Sequence, residues 1–282
     1  MKVIQAPSIA YILPCLPKFY AVFEVVGDCI LSEKKENAFQ YTIKYIFFAA
    51  VLLVVAALLY YAYDRFVPHE RALSPVSSEP FGTVIIDAGH GGMDGGAVSE
   101  GGTLEKDLNL EISLLLRDVL QASGVQVILT RDSDEMLDCN AKGGSRKTRD
   151  LRARVEIAEA NPDALFVSIH MNKFPSASVS GVQLYYSPNN PESQELAQMI
   201  QSSVKSLLQP DNNRPLKAAD SKIYVLNRTK NPAVLVECGF LSNYEEEQLL
   251  LDNVYRHKLA LTLASSVIEY LQGQYNQMRC SL

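Results

Sequence analysis

Val84-Ile85-Ile86-Asp87-Ala88-Gly89-His90-Gly91-Gly92 decides how this 282-residue chain is read. An apolar, β-branched run that breaks into glycines reads as a buried strand emptying into a loop. The same grammar recurs on either side of it. Residues 83–87, 125–130, 165–169, 182–186, 223–226 and 233–236 are short runs of strand-forming residues between turn formers. Between them, residues 105–123 set Leu108, Ile112, Leu115, Leu116 and Val119 at helical spacing, with Gly124 placed to end the helix. Residues 150–160, 193–208 and 255–272 repeat that period. Strands alternating with helices predict an α/β domain, a three-layer sandwich with a mostly parallel central sheet and helices on both faces. Such sheets place their chemistry at the carboxyl ends of the strands.

Three strands pass that test. Residues 83–87 run into His90, 165–169 end on His170, and 233–236 end on Glu237. The chain has four histidines, and the other two, His69 and His257, fall in a linker and in a polar helix start. One histidine at a strand end is ordinarily structural. Two of them beside a carboxylate make a known ligand set for a catalytic zinc ion, which takes three protein ligands and keeps one position open. Glu105, at a helix start fifteen residues after His90, is the natural third ligand, although helix dipoles favour first-turn carboxylates without any metal. Asp87 is a candidate acceptor for an imidazole N–H. The glycine pairs 91–92, 95–96 and 101–102 lack phosphate-loop spacing and fit close backbone approach to a bound metal and substrate.

Composition narrows the field further. With 48% hydrophobic and 21% charged residues the chain is an ordinary globular one. Residues 1–81 carry seven Lys/Arg and seven Asp/Glu, so the net charge of −6 belongs to the remainder, which argues against nucleic acid as a partner. The basic run Arg146, Lys147, Arg149, Arg152 and Arg154 reads as a solvated helix start. Five dispersed cysteines without a CxxC pair indicate neither a disulfide framework nor a cysteine zinc site. Cys238 suits a small buried residue better than a nucleophile.

Residues 45–63 contain no charge and match the roughly 20 apolar residues that cross a bilayer, with tyrosines at both ends. One transmembrane helix is expected there. Lys34, Lys35 and Lys44 before it, against Arg65 and Arg71 after it, favour an extracytoplasmic C-terminal bulk. Residues 1–44 form a leader of open role, 64–81 a proline-bearing linker, and 82–282 the catalytic domain. The segment 131–149 is a long loop, a candidate lid.

Four motifs then carry a resemblance. Asp87-Ala88-Gly89-His90-Gly91-Gly92, Leu104-Glu105-Lys106-Asp107-Leu108-Asn109-Leu110, Ser168-Ile169-His170-Met171-Asn172 and Val236-Glu237-Cys238-Gly239-Phe240-Leu241-Ser242-Asn243 stand in the order found in the zinc N-acetylmuramoyl-L-alanine amidases. The resemblance spans about residues 82 to 271. It implies zinc ligands at His90, Glu105 and His170, a catalytic glutamate at Glu237, and peptidoglycan as substrate. Ala88 departs from a frequent proline and touches no ligand. The basic insert Lys142-Gly143-Gly144-Ser145-Arg146-Lys147, the single anchor and the absence of a wall-binding repeat look most like the spore-cortex amidases of endospore formers. That likeness implies a role in muramic lactam formation and germination at the forespore, and the missing wall-binding module suggests an accessory protein. Two other readings stay open: a zinc peptidase cutting within the stem peptide, and a tethered wall-binding module without turnover.

Overall fold

The computed structural model describes residues 38–66, 80–138 and 143–280, in two compact units, Met1–Ser74 and Pro75–Leu282. In the first, α1 (Ala38–Phe66) is a helix of 29 residues. Its side chains are described over 44–58, all of them exposed. Among the described residues no helix is long and apolar enough to cross a membrane; the side chains at 59–63 of the expected span 45–63 lie outside the described residues. The leader before residue 38 and most of the linker lie outside the described residues.

The second unit is the α/β domain. It runs β1 (Thr83–Ala88), α2 (Glu105–Ala122), β2 (Gln126–Leu129), α3 (Arg146–Glu159), β3 (Leu165–Asn172), β4 (Gln183–Tyr186), α4 (Glu192–Leu207), β5 (Lys217–Ala218), β6 (Ala233–Phe240), α5 (Tyr244–Leu251) and α6 (Asn253–Cys280). The strands form one sheet in the order β2-β1-β3-β6-β4-β5. Pairing is parallel throughout except between β4 and β6. The sheet is therefore mostly parallel, as expected, and mixed through one antiparallel pairing with a simple cause. The link 173–182 contains no helix, and a parallel return needs a crossover of a dozen or more residues.

Side chains along each strand alternate between two cores. Val84, Ile86, Val167, Ile169, Val234 and Val236 pack on one face with Leu108, Ile112 and Leu116 of α2, Leu196 and Ile200 of α4, and Leu259 and Leu263 of α6. On the other face Ile85, Phe166 and Leu235 meet Val155 and Ala158 of α3. Helices thus cover both faces, as expected. Part of the second cover is not helix. Residues 223–226 form a chain of turns, not the expected strand, because Asn227 N–H donates to the Ile223 carbonyl and Thr229 N–H to that of Val225. Val225 and Leu226 plug the core from there.

Local signals set the element ends. Gly124 follows α2 at φ 83°, where a side chain would be strained. Ser145 Oγ accepts from Thr148 N–H to start α3. Asn243 does the same for α5 through Glu246 N–H, a helix not expected from sequence. The 131–149 loop is accordingly shorter than expected and pinned. Asp134 pairs with Lys106 at 2.6 Å, Leu137 N–H donates to Asp150 Oδ1 at 2.9 Å, and Asp138 pairs with Arg149 at 2.7 Å. Its tip, 139–142, lies outside the described residues.

Candidate metal centre

β3 and β6 continue past the residues expected to end them. His170 and Glu237 are register partners inside these strands, and the pairing shifts between His170 and Asn172. Such an irregularity re-aims side chains beside a site. His90 sits two residues beyond β1 at φ 60°, in the left-handed region that non-glycine residues seldom occupy. Glu105 is the first residue of α2.

These positions converge. Ligand atoms of His90, Glu105 and His170 all lie within 4.8 Å of one another. The Glu105 Oε1 atom is 3.2 Å from His90 Nε2 and 2.8 Å from His170 Nδ1, and the two imidazoles meet edge to face with centroids 5.0 Å apart. Glu105 is fixed from behind, since Ala97 N–H donates to Oε2 at 2.7 Å and Met171 N–H to Oε1 at 3.1 Å. Burial works to raise its carboxyl, but both histidines outweigh this and hold it well below the ordinary carboxylate range. For His170 the signs reverse: burial lowers the imidazole, and Glu105 more than compensates, raising it.

Glu237 has a different character. Its Oε2 is buried and makes no hydrogen bond. Burial, with Glu105 nearby, pushes the carboxyl up to about 7 against the opposing pull of His170 and His90. Two imidazoles and one anchored carboxylate match a zinc donor set, and an unengaged carboxylate beside them matches a proton acceptor that is not a ligand. The residues fit a zinc ion on that ground.

Backbone approach explains the glycines. A Cβ on Gly89 would lie 2.3 Å from the His170 ring, and one on Gly96 would lie 2.5 Å from Glu105 Oε2. The loop that carries His90 is held by two buried arginines. Arg131 Nε donates to the Ala88 carbonyl and Nη2 to that of Gly89, both at 2.9 Å. Arg154 reaches the Ala88 carbonyl at 2.9 Å and the His90 carbonyl at 2.8 Å, while bonding Asp87 Oδ1 and Asp150. Arg154 therefore departs from the solvated reading of its basic run: it is 2% exposed. Asp87 is engaged by Arg154, Ser168 and Thr130, not by an imidazole. Against the pull of burial, Arg154 and the two hydroxyls hold the Asp87 carboxyl below its ordinary value. Asp94 Oδ2 lies 3.0 Å from His90 Nδ1 and 3.1 Å from Lys147 Nζ. Sequence reasoning missed Asp94, Arg131 and Arg154; a buried arginine leaves no periodic signal, although Arg154 does stand four residues after Asp150 on one helix. Cys238 is buried in the core with its thiol pushed up by burial, so it is no nucleophile.

A cavity of about 260 Å³ opens over this group, with His170 and Glu237 in its wall and the 222–226 turns along one side. Residues 84–269 match the family model for N-acetylmuramoyl-L-alanine amidases. The chain is 39% identical over 189 residues to the germination-specific N-acetylmuramoyl-L-alanine amidase of Bacillus subtilis, covering 66% of this chain and 78% of that protein. Among solved structures it is similar to the CwlD amidase from Clostridioides difficile in complex with the GerS lipoprotein, with a TM-score of 0.64, 39% identity, and coverage of 68% of this chain and 98% of that one. The N-acetylmuramoyl-L-alanine amidase AmiC2 of Nostoc punctiforme gives a TM-score of 0.60 at 33% identity, with coverage of 69% and 99%.

Proposed function

The chain belongs to the N-acetylmuramoyl-L-alanine amidase family, and from that premise we propose that it hydrolyses the amide bond joining N-acetylmuramic acid to L-alanine in peptidoglycan. The observation that carries this is the convergence of His90, Glu105 and His170 beside the unengaged Glu237. We assign the first three as zinc ligands. A zinc ion held there would supply Lewis-acid polarisation of the amide carbonyl and acidify an attacking water toward ~7.

Glu237 does the proton work. Its Oε2 takes a proton from the water as oxygen bonds to the carbonyl carbon, and returns it to the departing L-alanine nitrogen as the C–N bond breaks. With no hydrogen bond at Oε2 this carboxylate is free to accept the proton and to give it back. Glu105, held by two backbone N–H groups, keeps the two imidazoles oriented while this happens. Arg131 and Arg154 fix the carbonyls of the loop that presents His90.

The family match favours an amidase over a stem-peptide peptidase or a wall-binding module without turnover, and the complete constellation is what turnover requires. Mass spectrometry of digested peptidoglycan separates the readings. Peptides with a free L-alanine amine and glycan with unsubstituted lactyl groups are expected; cuts inside the peptide, or none, would overturn the assignment.

We place the enzyme at the spore cortex, in muramic lactam formation and germination. The likeness to the germination-specific Bacillus subtilis amidase supports this. Loss of the gene product should leave vegetative growth normal and give spores without muramic lactam. We further propose that residues 45–63 anchor the chain in the cell membrane with the domain of residues 82–282 outside, supported by the charge-free run and the lysines before it. We also propose an accessory protein, supported by the similar amidase from Clostridioides difficile having been solved in complex with a lipoprotein.

A further inference from the structure

Apart from Glu237, the wall of the catalytic cavity contains charges that are already spoken for, and one cation that is not. Asp87 and Asp150 are engaged by Arg154. Asp94 is met by His90 and Lys147. Lys222 lines the same cavity as His170 and Glu237, yet among the described residues its ammonium has no carboxylate and no ring against it. Two cations near it in sequence, one on β5 and one on the segment that follows, are parked. Lys217 Nζ lies 5.8 Å from the Tyr185 ring centroid, and the Arg228 guanidinium lies 3.6 Å from that of Tyr224. Lys222 is presented on a turn whose backbone is set by Asp220, which accepts the Lys222 N–H at 2.8 Å. The side chain is exposed, so the ammonium remains hydrated until something displaces that water.

We propose that Lys222 is a specificity-determining residue that receives a carboxylate on the peptide arm of the substrate, at the residue following L-alanine. This rests on the amidase reading of the cavity. The scissile bond must lie at the ligand group and Glu237, so the peptide leaves from there along the cavity wall, and a free cation in that wall selects an acidic peptide over an amidated one. Held by a lone, solvent-facing ammonium, the carboxylate is discriminated modestly, about two- to fivefold, in keeping with exposed ion pairs. Salt weakens the preference by screening.

The test compares kcat/KM of the full chain, loaded with zinc, on two N-acetylmuramoyl dipeptides that carry either a free carboxylate or a carboxamide on the residue after L-alanine. Wild type should favour the acid about two- to fivefold, less so at high salt. In Lys222→Met the ratio should collapse toward one, in Lys222→Glu it should invert, and Lys222→Arg should keep it. The readout is a ratio within each variant, so a general loss of folded enzyme does not imitate it. Equal rates for the two substrates in wild type, or an unchanged ratio in Lys222→Met, overturns the proposal while leaving the amidase reading intact. Failure of wild type to release L-alanine from either substrate would instead sink the amidase reading, and this one with it.

Discussion

Glu237 shows what a functional residue costs the fold around it. Burial without a hydrogen bond at Oε2 pushes its carboxyl up to about 7, above its unfolded value. A group shifted in that direction contributes its full stability below the unfolded pKa and loses it as pH rises through the folded one. Metal-free Glu237→Gln should therefore melt above metal-free wild type at about pH 8, by the equivalent of on the order of 2–3 kcal/mol, and the gap should shrink toward pH 5. Calorimetry in chelator at both pH values checks this; a variant less stable than wild type at the higher pH would contradict it. Gly89 makes the complementary point about space. A methyl there would sit 2.3 Å from the His170 ring, so Gly89→Ala should keep the fold but lower zinc affinity at least ~10-fold by titration. Unchanged affinity would mean the close approach is incidental. His90, Glu105, His170 and Glu237 could be singled out in the sequence because each follows an apolar strand run or opens a helix, although His170 and Glu237 lie within the longer β3 and β6. The arginines behind them were not, since a charge run reads as solvated until the fold shows which member turns inward.

At the scale of elements, β1 and α3 are joined by a buried ion cluster. Arg154 of α3 holds Asp87 of β1 and the carbonyls of Ala88 and His90. Removing one partner of a buried pair typically costs about 3–5 kcal/mol, because the other charge is left unmet. Arg154→Met should lower the melting temperature strongly near neutral pH. Asp87 is held below its ordinary value, so its contribution is present above the unfolded pKa and lost as pH falls through the folded one. The gap between wild type and Arg154→Met should hence narrow on acidification, as protonation relieves the stranded carboxylate; a gap independent of pH would remove Asp87 from the explanation. Strand and helix periods made five of the six expected strand positions readable. Residues 223–226 misled because an apolar run of four has the same composition whether it pairs in a sheet or closes turns upon itself. The two-residue β5 has no period at all, and α5 begins in Tyr244-Glu245-Glu246-Glu247, where capping by Asn243 rather than an apolar stripe defines the helix. The reversal at β4 followed from loop length, which the sequence contained.

For the molecule as a whole, we propose that residues 45–63 anchor a zinc amidase whose catalytic domain lies outside the membrane. Protease added to intact protoplasts should remove the domain of residues 82–282; protection until lysis would reverse the orientation. Inside the domain, the central strands β1, β3 and β6 and the start of α2 bring the three proposed zinc ligands together and keep the proposed proton acceptor separate from them. That division of labour is the central claim, and zinc titration of two glutamate variants tests it most directly. Glu105→Ala should lose zinc affinity and turnover together. Glu237→Gln should bind zinc as wild type does while turnover falls by about 10²–10⁴-fold, the usual worth of general acid–base catalysis. A Glu237→Gln protein that is zinc-free, or that turns over near the wild-type rate with zinc bound, would contradict it.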